Sequence, residues 1–321
     1  MNFFQILSEI EKVDPEVYGR LDSRRSVFKN MAGLGQKLSA AALPLAIGAI
    51  FNKAYGQTPT GLTAVAVLDF ALKLEYLESI FYQQRTALVG LSTANANALT
   101  LIATDEANHV RFLSSTITAL GQTPRTVAAT EFDFTGGKGS NAGPFADYRT
   151  NPATYLALAQ SFEDTGVRAY KGAAPLSVVM ANKTVLTAAL NIHSVEARHA
   201  SHLRSMRRAG AASTTPSQGA AVSPYSAAPK SWISGTDGGG ASPTYTTPIY
   251  GAGNNTGAPT GVTFEAESNV LQGGVTLSAT TSSAFTGFPA TAFSEAFDEG
   301  LDVGTVSTIA RLFTVTGSTL F

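Results

Sequence analysis

The chain contains no cysteine, which excludes disulfides and thiolate metal sites and is compatible with any compartment. Charge is scarce, at 14% of 321 residues, against a usual share of about a quarter. The net charge of −1 and a pI of about 6.4 leave no basic footprint for nucleic acid. Long apolar runs are missing too. The mostly apolar stretch Leu38–Phe51 covers fourteen residues, short of the about 20 that a membrane-spanning helix needs. Histidine occurs only four times. A mass of 33.3 kDa nevertheless allows a sizeable core and room for two domains.

Against this sparse background one pattern occurs twice. Glu75 and Tyr82 in LEYLESIFY precede Glu106 and His109 in DEANH; Glu163 and Tyr170 in FEDTGVRAY precede Glu196 and His199 in VEARH. The two glutamates of a copy are 31 residues apart in the first and 33 in the second. On a helix, positions i and i+3 differ by about 60° in azimuth and about 4.5 Å in rise, so a Glu-x-x-His can grip one ion from one face. Seven residues turn a helix by about 700°, which puts each tyrosine about 20° from its glutamate on the same face. The doubled pattern resembles ferritin-like bundles, where two helices each supply a Glu and two more each supply a Glu-x-x-His. In that resemblance Glu75, Glu106, His109, Glu163, Glu196 and His199 are a complete ligand set for two iron ions, or alternatively manganese. Carboxylates bridge hard cations, and one imidazole per metal leaves positions open for oxygen or peroxide.

A lone Glu-x-x-His is common on solvated helices. Two of them, each preceded at a similar distance by an apolar helix carrying Glu and Tyr, are far harder to obtain by chance. The remaining histidines, His193 and His202, continue the stripe at three-residue steps; each step rotates about 60°, so they flank the site and lean toward the surface. Glu78 competes with Glu75 for the first-helix position. Aligning the two copies sets Glu78 opposite Gly166, which favours Glu75. Asp105 and Asp164 adjoin ligands and either orient a histidine or arginine or belong to a solvated face.

Four long helices follow from the periodicity, near Thr63–Val89, Thr93–Leu120, Pro152–Ala174 and Lys183–Ala209, with a helical turn at Leu176–Ala181. The Gly/Thr/Asn-rich stretch Gly121–Asn151 is long enough to cross the length of a bundle. The fold class is therefore mainly α: a ferritin-like four-helix bundle with one long crossover over 57–210, followed by an irregular Gly/Ser/Thr-rich extension over 211–321. Within the extension, Ala211–Gly261 reads as extended loop or linker, with Tyr225, Trp232, Ile233, Tyr245 and Tyr250 as anchors onto the bundle. Val262–Phe288 alternates enough for a β-hairpin through Gly273-Gly274. Phe293–Phe313 reads as partly helical, capped by Asp302, with Val306, Ile309 and Leu312 on one face. It holds no second catalytic constellation.

Residues 1–56 read as a leader or N-terminal arm. Ser23-Arg24-Arg25-Ser26-Val27-Phe28-Lys29 resembles the twin-arginine export motif; Leu38–Phe51 follows, then Ala54-Tyr55-Gly56, a small-x-small cleavage pattern. The competing reading is a buried helix after a chance arginine pair. Met1–Asp22 is itself patterned, so the leader is either cleaved or retained as an arm. Export would be to the periplasm or cell surface, with transient binding to the export machinery.

Residues from about 60 to 210 resemble bacterial ferritin-like domain proteins related to plant desiccation-associated proteins, and the resemblance extends to the leader and to SEAFDEGLDVGTVSTIARLF. It implies a di-metal, most simply di-iron, centre in an exported stress or envelope role. The partners would be metal ions with oxygen or peroxide, and Tyr82 and Tyr170 would be hydrogen-bond or electron donors. Unlike rubrerythrin, the chain has no Cys-x-x-Cys pairs for a rubredoxin-type iron centre, and the long extension argues against a cage-forming ferritin shell. Two other functions remain open: a dimanganese catalase, and an exported scaffold that self-assembles through residues 211–321 into a homo-oligomer without catalysis.

Overall fold

The structure is a computed structural model that describes residues 62–213, 229–236, 243–254, 263–272, 274–278 and 287–321. The twin-arginine-like motif and Tyr225 lie outside the described residues, as does the side chain of Tyr245. Four long helices dominate: α1 (Ala64–Gln83), α2 (Thr93–Ala119), α3 (Pro152–Ala173) and, after the short α4 (Ser177–Met180), α5 (Lys183–Ala209). Each begins at a polar cap. The side chains of Thr63, Ser92, Asn151 and Asn182 accept from the N–H groups of Ala66, Asn95, Ala153 and Val185, and Pro152 takes the first helical position, where no N–H is needed. α1 stops six residues short of the expected Val89. Arg85 turns its guanidinium back onto the Tyr82 carbonyl at 3.0 Å, and Gln84–Ala87 tightens into a 3-10 turn.

α1 packs along α2 and α3 along α5, and the two pairs meet through α1 against α3 and α2 against α5. The crossover between α2 and α3 is fastened at Asp133, whose carboxylate accepts from the N–H groups of Thr135, Gly139 and Asn141 at 3.0, 2.7 and 3.1 Å. Phe132 beside it forms a β-bridge with Thr314, near the C-terminus.

α3 is buried on all sides from Thr154 to Arg168. A helix with no solvated face needs cover beyond its bundle partners, and the C-terminal extension supplies it. Its described elements are α6 (Pro243–Tyr250), the antiparallel pair β1 (Leu271–Gln272) and β2 (Val275–Thr276), α7 (Thr291–Ser294) and α8 (Val303–Arg311). The hairpin is present as expected, though only two residues long on each side. Within Ala211–Gly261, read from the sequence as extended loop or linker, α6 is helical despite the backbone bond that Pro248 forfeits. It is held by burial of Ile249 and by the Tyr250 hydroxyl, which donates to Asp164 at 2.6 Å. Asp302 caps α8 by accepting from the Thr305 N–H at 2.9 Å. Leu301, Val306, Ile309 and Phe313 join Phe81, Tyr155 and Phe162 in one continuous core.

The deepest attachment is Arg168, fully buried on α3. It pairs with Glu267 at 2.8 Å and donates to the carbonyls of Glu299, Ile249, Gly251, Glu265 and Gly300. The extension crosses α3 at Gly172, where a Cβ would lie 2.0 Å from the Leu301 carbonyl oxygen. Among the described residues no helix is long and apolar enough to cross a membrane.

Candidate metal centre

α1 contributes Glu75 and Tyr82, α2 Glu106 and His109, α3 Glu163 and Tyr170, and α5 Glu196 and His199. All four glutamates are 0% exposed, and both histidines are buried. The side chains converge on the two Nδ1 atoms. Nδ1 of His109 lies 3.1 Å from Glu75, 3.2 Å from Glu106 and 3.4 Å from Glu196. Nδ1 of His199 lies 2.9 Å from Glu106 and 3.2 Å from Glu163. The donors form two groups, Glu75–Glu106–His109–Glu196 and Glu106–Glu163–His199, so Glu106 stands between them.

One imidazole nitrogen can make one good hydrogen bond, not three. Two ligands about 2.1 Å from one ion and about 90° apart lie about 3.0 Å from each other, the spacing seen here. Glu196 reaches His109 only outside hydrogen-bond geometry, and neither of its oxygens accepts a hydrogen bond. A buried carboxylate left in that state is costly unless a cation neutralises it. Its oxygen and imidazole donors suit iron or manganese, so the residues present fit a pair of such ions.

The tyrosines cross over. Tyr82 of α1 donates to Glu163 of α3 at 2.5 Å, and Tyr170 of α3 donates to Glu75 of α1. Burial pushes both phenols well above their ordinary value, so each keeps its proton and fixes its carboxylate. Asp105 accepts from Nε2 of His199 at 3.1 Å, which turns Nδ1 inward, a support of the kind that fixes metal-binding histidines. Asp164 instead pairs with Arg204 at 2.5 Å. The structure thereby separates two neighbours that the sequence left open. His193 is half-buried and His202 exposed, and neither joins the donor groups.

Burial raises Glu75 from its ordinary 4.5 to about 7, and raises Glu163 and, further still, Glu78 and Glu196, with neighbouring carboxylates adding to the effect. Glu106 is the exception. Burial pushes it up, but His109 and His199 outweigh that and hold it at about 2. Burial works against charge on both histidines, yet the carboxylates raise His199 to about 11 and His109 further. A metal bound at these nitrogens would have to displace the protons that the carboxylates favour there.

Two features escape simple motif reading. Gly166 packs against Glu196: a Cβ there would lie 2.6 Å from Glu196 Oε2. The repeat alignment set Gly166 opposite Glu78 but said nothing of Glu196. Glu78 itself, passed over as a ligand, is nearly as buried as Glu75.

No curated protein and no solved structure matches the chain. The model of the ferritin-like domain family matches residues 63–209, the stretch whose four long helices place a Glu, a Glu-x-x-His and their second copies around one buried cluster.

Proposed function

We propose that the chain is an exported di-metal protein that binds two iron ions and reacts with oxygen or peroxide. The observation that carries this reading is the convergence of four fully buried glutamates on the Nδ1 atoms of His109 and His199. The six donors would hold the ions, Glu106 being common to both donor groups. Bound there, iron would supply Lewis acidity and one-electron redox chemistry. The protein's own residues set the conditions. Tyr82 and Tyr170 orient Glu163 and Glu75 as donors, Asp105 holds the His199 ring, and the core containing Phe81, Tyr155 and Phe162 keeps bulk water from that end of the bundle.

Replacing both histidines, His109→Ala with His199→Ala, tests the centre. Wild-type protein purified from iron-supplemented cells is expected to carry two ions per chain by elemental analysis. The double variant should carry almost none, with affinity down by more than about 100-fold, while its far-UV circular dichroism stays helical. A double variant that oxidises Fe(II) as fast as wild type would falsify the reading. Manganese in place of iron, with oxygen released from peroxide, would shift it to a dimanganese catalase. Wild-type protein without metal would leave the scaffold role.

Export rests on the arginine pair followed by a short apolar stretch and a small-x-small site. Changing Arg24→Lys together with Arg25→Lys is expected to trap the chain in the cytoplasm, read by fractionation and immunoblot. Equal export of the variant and wild type removes the twin-arginine route.

A further inference from the structure

A cavity of about 230 Å³ lies where the extension crosses α3 and α5, bordered by those helices and by the segments 231–233 and 295–298. It has room for a small molecule, though less than the about 300–1,000 Å³ of drug-sized sites. None of the residues in the two metal donor groups lines it. Four charged residues do: Asp164, Arg204, Glu295 and Asp298. Asp164 and Arg204 neutralise each other, since Nη2 of Arg204 donates to both Asp164 oxygens at 2.5 Å. Arg204 is only 4% exposed, and polar groups so deep usually find partners. Its Nε is sealed without a partner, whereas Nη1, also without one, is not sealed. Nη1 is therefore the guanidinium donor left open on the cavity. Glu295 accepts from the Ser234 hydroxyl at 2.6 Å. Asp298 is exposed; its carboxylate makes no hydrogen bond or ion pair with any described residue, and Lys171 donates to its carbonyl oxygen instead. Phe297 and Trp232, the chain's single tryptophan, add aromatic lining.

We propose that this cavity binds a small alkylammonium ion that also carries a hydroxyl or carbonyl oxygen. Three carboxylates against one guanidinium give the lining a negative balance, which attracts a cation and disfavours a carboxylate. Aromatic residues beside the carboxylates suit an alkylated ammonium, whose charge rests against a ring face. The oxygen of the ligand accepts from Arg204 Nη1, a charge-assisted bond of the stronger kind. Asp298, free of other partners, faces the ammonium group. Half of the lining comes from the extension, so the site exists only while the extension is docked on α3 and α5. This gives the extension a binding role of its own. The inference goes beyond the metal reading and does not use it.

The probe is choline, titrated by calorimetry into the full chain as purified. Saturable binding of one choline per chain is expected, with the same affinity in metal-free and metal-loaded protein. Tetramethylammonium lacks the hydroxyl and should bind about tenfold more weakly, the worth of one hydrogen bond. The neutral alcohol with carbon in place of the quaternary nitrogen (dimethylbutanol) should lose about tenfold or more through the missing charge. Betaine, with a carboxylate in place of the alcohol, should also bind more weakly than choline. Asp298→Asn should weaken choline about fivefold, and Trp232→Leu about tenfold, with far-UV circular dichroism unchanged. Asp298 is exposed and unpaired, so D298N carries the test if W232L disturbs the fold. No binding of choline at tens of millimolar would overturn the site. The neutral alcohol binding as tightly as choline would reduce it to an apolar cavity, and betaine binding more tightly would make it an anion site; either overturns the proposal. Displacement of choline by calcium would make it an inorganic cation site and overturn it too. Choline affinity unchanged in both variants would place the binding elsewhere.

Discussion

Adding Fe(II) or Mn(II) to the metal-free protein at about pH 7.5 is expected to raise Tm by about 10–20 °C, and at about pH 5 to raise it little. Ions at 100 times their dissociation constants add about 2.7 kcal/mol each, and a protein of this size gains about 2–4 °C per kcal/mol. The pH dependence follows from the shifted carboxyls. Glu75, Glu78, Glu163 and Glu196 all titrate above their ordinary 4.5 in the fold, Glu75 at about 7. A raised group contributes its stability in full below the unfolded value and loses it as pH rises through the folded one. Across the window from 4.5 to 7 each carboxyl that holds its proton in the fold costs about 1.4 kcal/mol per pH unit. Glu106, lowered to about 2, has opposite sign, but its contribution is already complete above 4.5. His199 and His109 are raised, so their contribution is full below the unfolded 6.5 and is lost progressively above it, for His199 up to about 11. The metal-free bundle should therefore weaken between pH 4.5 and 7 while metal, which replaces those protons, binds better. Calorimetric scans of verified metal-free and metal-loaded protein across this range check both trends. Superimposable curves at neutral pH would remove the buried di-metal site.

The site was legible because its chemistry is local and repeated. A Glu-x-x-His needs only three residues of helix, and the second copy turns a common motif into a rare one. The bundle was legible for a related reason. Thr63, Ser92, Asn151 and Asn182 announce helix starts, and the apolar spacing that follows runs unbroken for several turns. The extension was less legible because long-range contacts decide its structure. α6 is a short Pro- and Thr-containing segment with little intrinsic helicity, and it is fixed by burial of Tyr250 against Asp164, 86 residues earlier in the chain. Asp105 and Asp164 look alike in sequence, each adjoining a ligand glutamate, and only packing reveals that one holds His199 and the other Arg204. Glu78 shows the converse limit. The repeat sets it opposite Gly166, but sequence spacing could not show that a Cβ at Gly166 would lie 2.6 Å from Glu196 Oε2.

Arg168→Met is expected to release the extension from the bundle. The substitution keeps a long apolar stem but removes the cation paired with Glu267 and the donors to five carbonyls, all inside the protein. Breaking a buried pair from one side costs about 3–5 kcal/mol, because the other charge stays buried without compensation. Burial already lifts Glu267 to about 7 in spite of Arg168, so without the guanidinium this carboxyl would take up a proton or be exposed. A fall in Tm of about 10 °C is expected, with proteolytic cleavage appearing first between 229 and 301 while α1 to α5 stay protected. The double variant Arg168→Met with Glu267→Leu should lose less than R168M alone, since it no longer strands a charge, though the five carbonyls remain short of donors. That ordering separates the ion pair from simple packing. If R168M keeps wild-type protease resistance and Tm, the buried arginine is not what fastens the extension, and the apolar contacts of Val306, Ile309 and Phe313 must hold it unaided.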